Sequence, residues 1–162
     1  MICVTSRTAR IGEATPVRLS MLNVIKYQEE TPMGLNERRK IKELQDTTLP
    51  VRVKEIEEIC GKAIPYEVDW ESFADDAQAL HFFDNISPHR INMALRAICI
   101  DDMGKEAIRD GLHLLRLKNV KDKAAMEMTF KDGVLEMHSA YALLTDGMFS
   151  DMEIQVLLVK NL

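Results

Sequence analysis

Residues 112–141, LHLLRLKNVKDKAAMEMTFKDGVLEMHSAY, decide the fold. LHLLRLKNV, AMEMTF and VLEMHSAY are strand-like, alternating apolar and polar residues with the period of two that sends successive side chains to opposite faces of a sheet. The last two are joined by KDG, a tight-hairpin signal, because glycine takes the left-handed conformation of such a turn without steric penalty. Taken in chain order the three strands read as a meander, whose neighbours are antiparallel.

A fourth strand lies upstream in IPYEVDWE, residues 64–71. Ile64, Tyr66, Val68 and Trp70 point one way and Pro65, Glu67, Asp69 and Glu71 the other, while Pro65 restricts the strand to a sheet edge or to starting at that residue. Between it and Leu112 the pattern is helical. Ser72, Asp75 or Asp76 can cap AQALHFF; Ser87 and Pro88 mark the start of SPHRINMALRAICI as N-cap and first helical residue; DDMGKEAIRDG adds further turns ending near Gly111. Toward the N-terminus, Asn36 is placed to cap NERRKIKELQD. Two threonines and Pro50 interrupt that run before VRVKEIEEIC, which Gly61 ends. The chain closes with SDMEIQVLLVKNL, where Ser150 and Glu153 have capping-box spacing. The expected fold is α+β: a single, mostly antiparallel sheet of about four strands with helices packed on one face. This domain spans residues 36–162 and follows an N-terminal arm, residues 1–35, in which VRLSMLNVIKY fits a short strand or a helical turn equally well.

A formal charge of -5 supplies no basic surface for phosphate neutralisation, so nucleic acid is not an expected partner. The basic run Arg38, Arg39, Lys40 and Lys42, flanked by Glu37 and Glu43, reads as a solvated helix face. No apolar run approaches a membrane span, and the opening MICVTSRTARIGEATP lacks an apolar signal core, which points to a soluble cytoplasmic chain. Cys3, Cys60 and Cys99 are odd in number and far apart, and form neither a disulfide framework nor a CxxC motif.

The negative excess is concentrated in residues 63–111, ten acids against four Lys or Arg. Six of those acids, Glu67, Asp69, Glu71, Asp75, Asp76 and Asp84, fall in EVDWESFADDAQALHFFDN. On one strand face Glu67, Asp69 and Glu71 would have successive Cα atoms roughly 7 Å apart. That spacing suits a Mg²⁺ or Ca²⁺ site completed by Asp75 or Asp76, or an acid and base pair drawn from Asp69, Glu71, Asp75 and Asp76. Ordinary structural roles would also account for the same acids, with Asp75 or Asp76 as a helix cap and the strand acids as ion-pair partners of Arg116 and Lys118 on a neighbouring strand. His81, Asp84 and His89 match no zinc spacing, and Ser87 with His89 and Arg90 matches no nucleophile motif. Nothing resembles a phosphate loop, so no cofactor is expected on the favoured reading.

That reading is a non-catalytic interaction or accessory module that self-associates as a dimer. Ile154, Leu157, Leu158 and Leu162 of the apolar closing helix are the expected interface, and the acidic surface around residues 67–76 would face a basic protein partner. The alternatives are a small divalent-metal-dependent hydrolase or phosphoryl-transfer enzyme using the same carboxylates, and a binder of a small apolar ligand. The last would use Tyr66, Trp70, Phe82, Phe83 and the strand methionines Met126, Met128 and Met137.

Overall fold

A long helical run opens the computed structural model, which describes residues 33–162. The run comprises α1 (Leu35–Glu43), one wide π turn (Leu44–Thr48) and α2 (Leu49–Cys60). Gly34, and not Asn36, occupies the N-cap position; Asn36 lies within the first turn. Nor does Pro50 break the run. A proline in an α-helix lacks the N–H for its bond and collides with the carbonyl four residues back. Here the preceding turn widens, Leu49 N–H donating to Leu44 five residues back, and Pro50 enters at the start of α2. Gly61, at φ 78°, then stops α2 in the left-handed conformation. The arm's residues 1–32, with VRLSMLNVIKY and Cys3, lie outside the described residues.

β1 (Tyr66–Asp69) leads through a short 3-10 turn (Trp70–Phe73) to α3 (Ala77–Ile86), α4 (Pro88–Ile98) and α5 (Asp102–Gly111). β2 (Leu114–Asn119), β3 (Glu127–Lys131), β4 (Val134–Ser139) and α6 (Asp151–Asn161) complete the order. Pro88 opens α4 as its residue type requires, but the Ser87 side chain makes no cap bond; its hydroxyl is buried and accepts from Tyr141 Oη at 2.8 Å.

The fold is α+β with one four-stranded sheet, and the antiparallel expectation is corrected. The order is β1-β2-β4-β3; β1 with β2 and β2 with β4 are parallel, and only the β3–β4 hairpin is antiparallel. Two physical reasons apply. The helical block between β1 and β2 is a crossover, and a crossover returns the chain in its original direction. Leu135 and Met137 of β4 are fully buried, whereas β3 exposes Glu127, Thr129 and Lys131. β4 therefore takes the centre beside β2, and the polar β3 takes the edge. At the hairpin Asp132 and Gly133 both have positive φ, 52° and 76°, as the tight turn demands.

The core lies on the sheet face formed by Leu115, Leu117, Leu135 and Met137. Its centre is an aromatic cluster in which Phe83 meets Trp70 at 5.3 Å, Phe73 at 5.6 Å and Tyr141 at 5.6 Å between ring centroids. Cys60 and Cys99 are buried free thiols, and burial raises the pKa of both.

Candidate functional site

The strand register arranges the open sheet face as two rows of charge. One reads Glu67, Arg116, Glu136, Thr129; the other reads Asp69, Lys118, His138, Glu127. Arg116 Nε donates to Glu67 Oε1 at 2.8 Å and Nη1 to Glu136 Oε2 at 3.4 Å, and the Lys118 ammonium stands 3.9 Å from Asp69. His138 Nε2 lies 2.8 Å from Glu136 Oε1, a bond that holds the Glu136 carboxyl below its ordinary pKa, with a further contribution from Arg116. In the first row negative and positive side chains thus alternate across three strands, while in the second the acid Asp69 faces Lys118, which is followed by His138. Cross-strand pairs of opposite sign are the sheet's own way of placing charge.

The fold gives each acid of residues 67–84 a separate position. Glu67 and Asp69 face Arg116 and Lys118. Asp69 also accepts from Ser72 N–H at 3.3 Å, closing the 3-10 turn. Asp76 caps α3 through Ala79 N–H at 2.9 Å, while its second oxygen accepts from Asn119 Nδ2 at 3.3 Å. Glu71 and Asp75 are exposed on the connection between β1 and α3. The fold therefore spreads these carboxylates along a strand and a turn, and no group of three or more His, Cys, Asp or Glu among the described residues is placed to hold a metal ion. His81 is exposed with its ring against Phe82, and Asp84 is held by Arg52, so these two do not converge on a common site.

A groove of about 580 Å³ runs between α2 and β1, lined by Leu49, Pro50 and Val53 on one side and Tyr66, Val68 and Trp70 on the other. Its walls are fixed by a polar network that no local sequence signal marks. Arg52 Nε and Nη2 donate to the two oxygens of Asp84 on α3 at 2.8 and 2.6 Å, and its Nη1 donates to Glu55 at 2.8 Å. Asn92 of α4 donates to Glu55 at 2.7 Å and to the Arg52 carbonyl at 3.2 Å, and it accepts from Tyr66 Oη at 3.2 Å. One chain of bonds thereby ties α2, α3, α4 and β1 together. The bond to Asp84 raises the Arg52 pKa; burial raises that of the Tyr66 hydroxyl, although the ring borders the groove.

The hydrogen bond from Arg52 also holds the Glu55 carboxyl below its ordinary value of 4.5. Folded Glu55 stays ionised at a pH where the unfolded chain has already taken up a proton, so its contribution is complete above that value and drains away as pH falls through the lower folded one. Urea unfolding followed across this range is expected to show stability falling on acidification. Glu55→Gln should flatten part of that slope; an unchanged slope would remove Glu55 from the account.

A second groove, of about 500 Å³, lies at the opposite edge, where Met126 and Met128 of β3 and its approach face Phe149 and α6 residues Met152, Val156 and Leu157. No family model, curated protein or solved structure matches the chain. Its own surfaces are therefore what bears on function. Of the four residues expected at an interface, Ile154 and Leu158 are fully buried in the chain's own core, Leu157 is half-buried and Leu162 is exposed. The outward stripe consists instead of Met152, Val156 and Val159, at 65%, 58% and 60% exposure. They recur at steps of four and three, which is one helix face. Among the described residues no helix is long and apolar enough to cross a membrane.

Proposed function

We propose that the protein is a non-catalytic interaction module that self-associates as a dimer through the outer face of α6. The observation that carries the reading is a short helix apolar on two faces. Ile154 and Leu158 fill the core while Met152, Val156 and Val159 stand in water beside the Met-lined groove at the β3 edge. Leaving such a stripe uncovered forgoes the burial of several large side chains, and contiguous exposed apolar surface marks interaction sites.

Charge favours a second copy as the cover. Glu153 and Lys160 bound the same groove, seven residues apart. A two-fold axis crossing α6 near Val156 runs the helices antiparallel and brings Lys160 of each copy to Glu153 of the other. The capping box with Ser150 holds the Glu153 carboxyl below its ordinary pKa and so keeps it charged at neutral pH.

Sedimentation equilibrium over the micromolar range is expected to give a dimer mass. Val156→Glu, on an exposed position, should return the monomer with its circular dichroism unchanged. A monomer mass for the unaltered chain at every concentration would sink the proposal.

A further inference from the structure

Among the described residues the β1 edge has an open backbone, and two flanking surfaces specify what would cover it. Leu115 N–H donates to the Pro65 carbonyl at 3.0 Å, which fixes the phase of the parallel ladder. Pro65, Glu67 and Asp69 turn their peptide groups toward β2, so Tyr66 and Val68 turn theirs outward. Among the described residues neither Tyr66 nor Val68 makes a backbone hydrogen bond to a turn, loop or cap. An added strand here would lay its inward side chains over the groove, whose apolar lining includes Leu49, Pro50, Val53 and Trp70 and whose polar lining is Gln45, Lys54 and Glu57. Its outward side chains would extend the two charge rows. Each row reads negative then positive from β1 inward, Glu67 to Arg116 and Asp69 to Lys118, so continued alternation demands a cation at both new positions.

We propose that β1 accepts an extended segment of a partner protein as a fifth strand, one whose side chains alternate apolar and basic. The inference rests on the reading of the chain as an interaction module and names the chemistry of its partner. Main-chain bonds to Tyr66 and Val68 supply affinity, the groove and the acids supply sequence preference, and the mode is strand addition at an exposed edge. A second copy does not fit this edge. In the antiparallel registers that pair Tyr66 with Val68 or Val68 with itself, both of which keep these residues on the core side, an acid of one copy, Glu67 or Asp69, lies opposite an acid of the other. Like charges directly opposed disfavour that ladder, so the acids that protect the edge from self-pairing also select a basic strand.

Trp70 is the only tryptophan and borders the groove, so its emission reports occupancy without a label. The probe is a hexapeptide alternating isoleucine and lysine, titrated into the full chain. Controls are the same composition with the isoleucines contiguous, and a peptide with glutamate replacing lysine. Saturable change is expected with the alternating basic peptide alone, together with slowed amide exchange at Tyr66 and Val68. Glu67→Lys should weaken that peptide about three- to tenfold, the effect of reversing one cross-strand pair, and strengthen the glutamate peptide.

No saturation by the basic peptide overturns the inference, as does saturation that leaves the Tyr66 and Val68 amides unprotected. Loss of dimer mass in Glu67→Lys would make the edge a contact between copies and overturn it too. If that variant fails to fold, the amide result on the unaltered chain decides. Light scattering on the same samples keeps the two proposals apart. A dimer that binds no peptide leaves self-association standing, and a monomer that binds it leaves the edge standing.

Discussion

Arg52→Ala is expected to lower the unfolding free energy by about 3 kcal/mol, the loss typical of breaking a desolvated ion pair from one side. The side chain is 18% exposed and makes three hydrogen bonds to two carboxylates that are themselves only 28% and 30% exposed. Removing it takes from Asp84 its cation and leaves Glu55 with Arg96, whose Nη2 stands 3.8 Å away. A domain of this size has a total stability of about 5–15 kcal/mol, so the loss would be visible as a large shift in the urea midpoint. The control is the double substitution Arg52→Ala with Asp84→Ala, which removes both ends of the main pair. A coupling of about 1–3 kcal/mol between the two changes is expected, since residues in one hydrogen-bonded network do not act additively. Strict additivity would mean that the bond to Asp84 contributes nothing and that Arg52 acts through Glu55 and the packing of its stem. The substitution also tests the groove: Asn92 joins β1 to α2 through Tyr66 Oη, through the Arg52 main-chain carbonyl, which the substitution keeps, and through the Glu55 carboxylate, which the Arg52 side chain holds. Peptide binding at the β1 edge should weaken even where the protein remains folded.

What was legible in the sequence is what depends on neighbours along the chain. The Asp132-Gly133 turn, the Ser150 and Glu153 capping box and the Gly61 stop follow from residue types within four positions of one another; a cap before α3 was legible too, but not the choice of Asp76 over Ser72 and Asp75. The cross-strand partners of Glu67 and Asp69 were legible as well, because alternation assigns a face and opposite charges assign a neighbour. The strand order was not, although half of its signal was present. The helical block from α3 to α5 is a crossover and argues for a parallel β1–β2 pair; reading the later strands as a meander set that aside. Whether β3 or β4 sits beside β2 turns on which of two similar strands buries more, a tertiary quantity. The groove escaped because Pro50 reads as a break. The π turn lets α2 continue from α1, and Leu49 and Val53 then line the groove opposite β1. The Arg52–Asp84 pair joins residues 32 positions apart and leaves no local trace.

Phe83→Ala should cost more than Arg52→Ala, about 4 kcal/mol, because a fully buried phenyl ring is removed from the middle of the aromatic cluster. Its ring lies nearly parallel to Tyr141, at 16°, and edge-on to Phe73, and it tilts against Trp70. Such contacts add to the area term, and no neighbour can collapse into the space without giving up its own partner. Tyr141 is held by its bond to Ser87 and Phe73 by Tyr141 at 5.0 Å, so the void stays open. Phe83→Leu keeps most of the buried area and should cost about 1.5 kcal/mol. Equal costs for the two substitutions would show that the cavity closes and that ring geometry contributes nothing. The consequence for function passes through Trp70. That residue touches Phe83 on one side and borders the β1 groove on the other, so loosening the cluster loosens the end of the edge strand. In Phe83→Ala, Trp70 emission is expected to shift to the red in the native baseline, before any unfolding transition. The alternating basic peptide should bind more weakly in proportion, while the self-association proposed for α6, on the far edge of the sheet, should be unaffected.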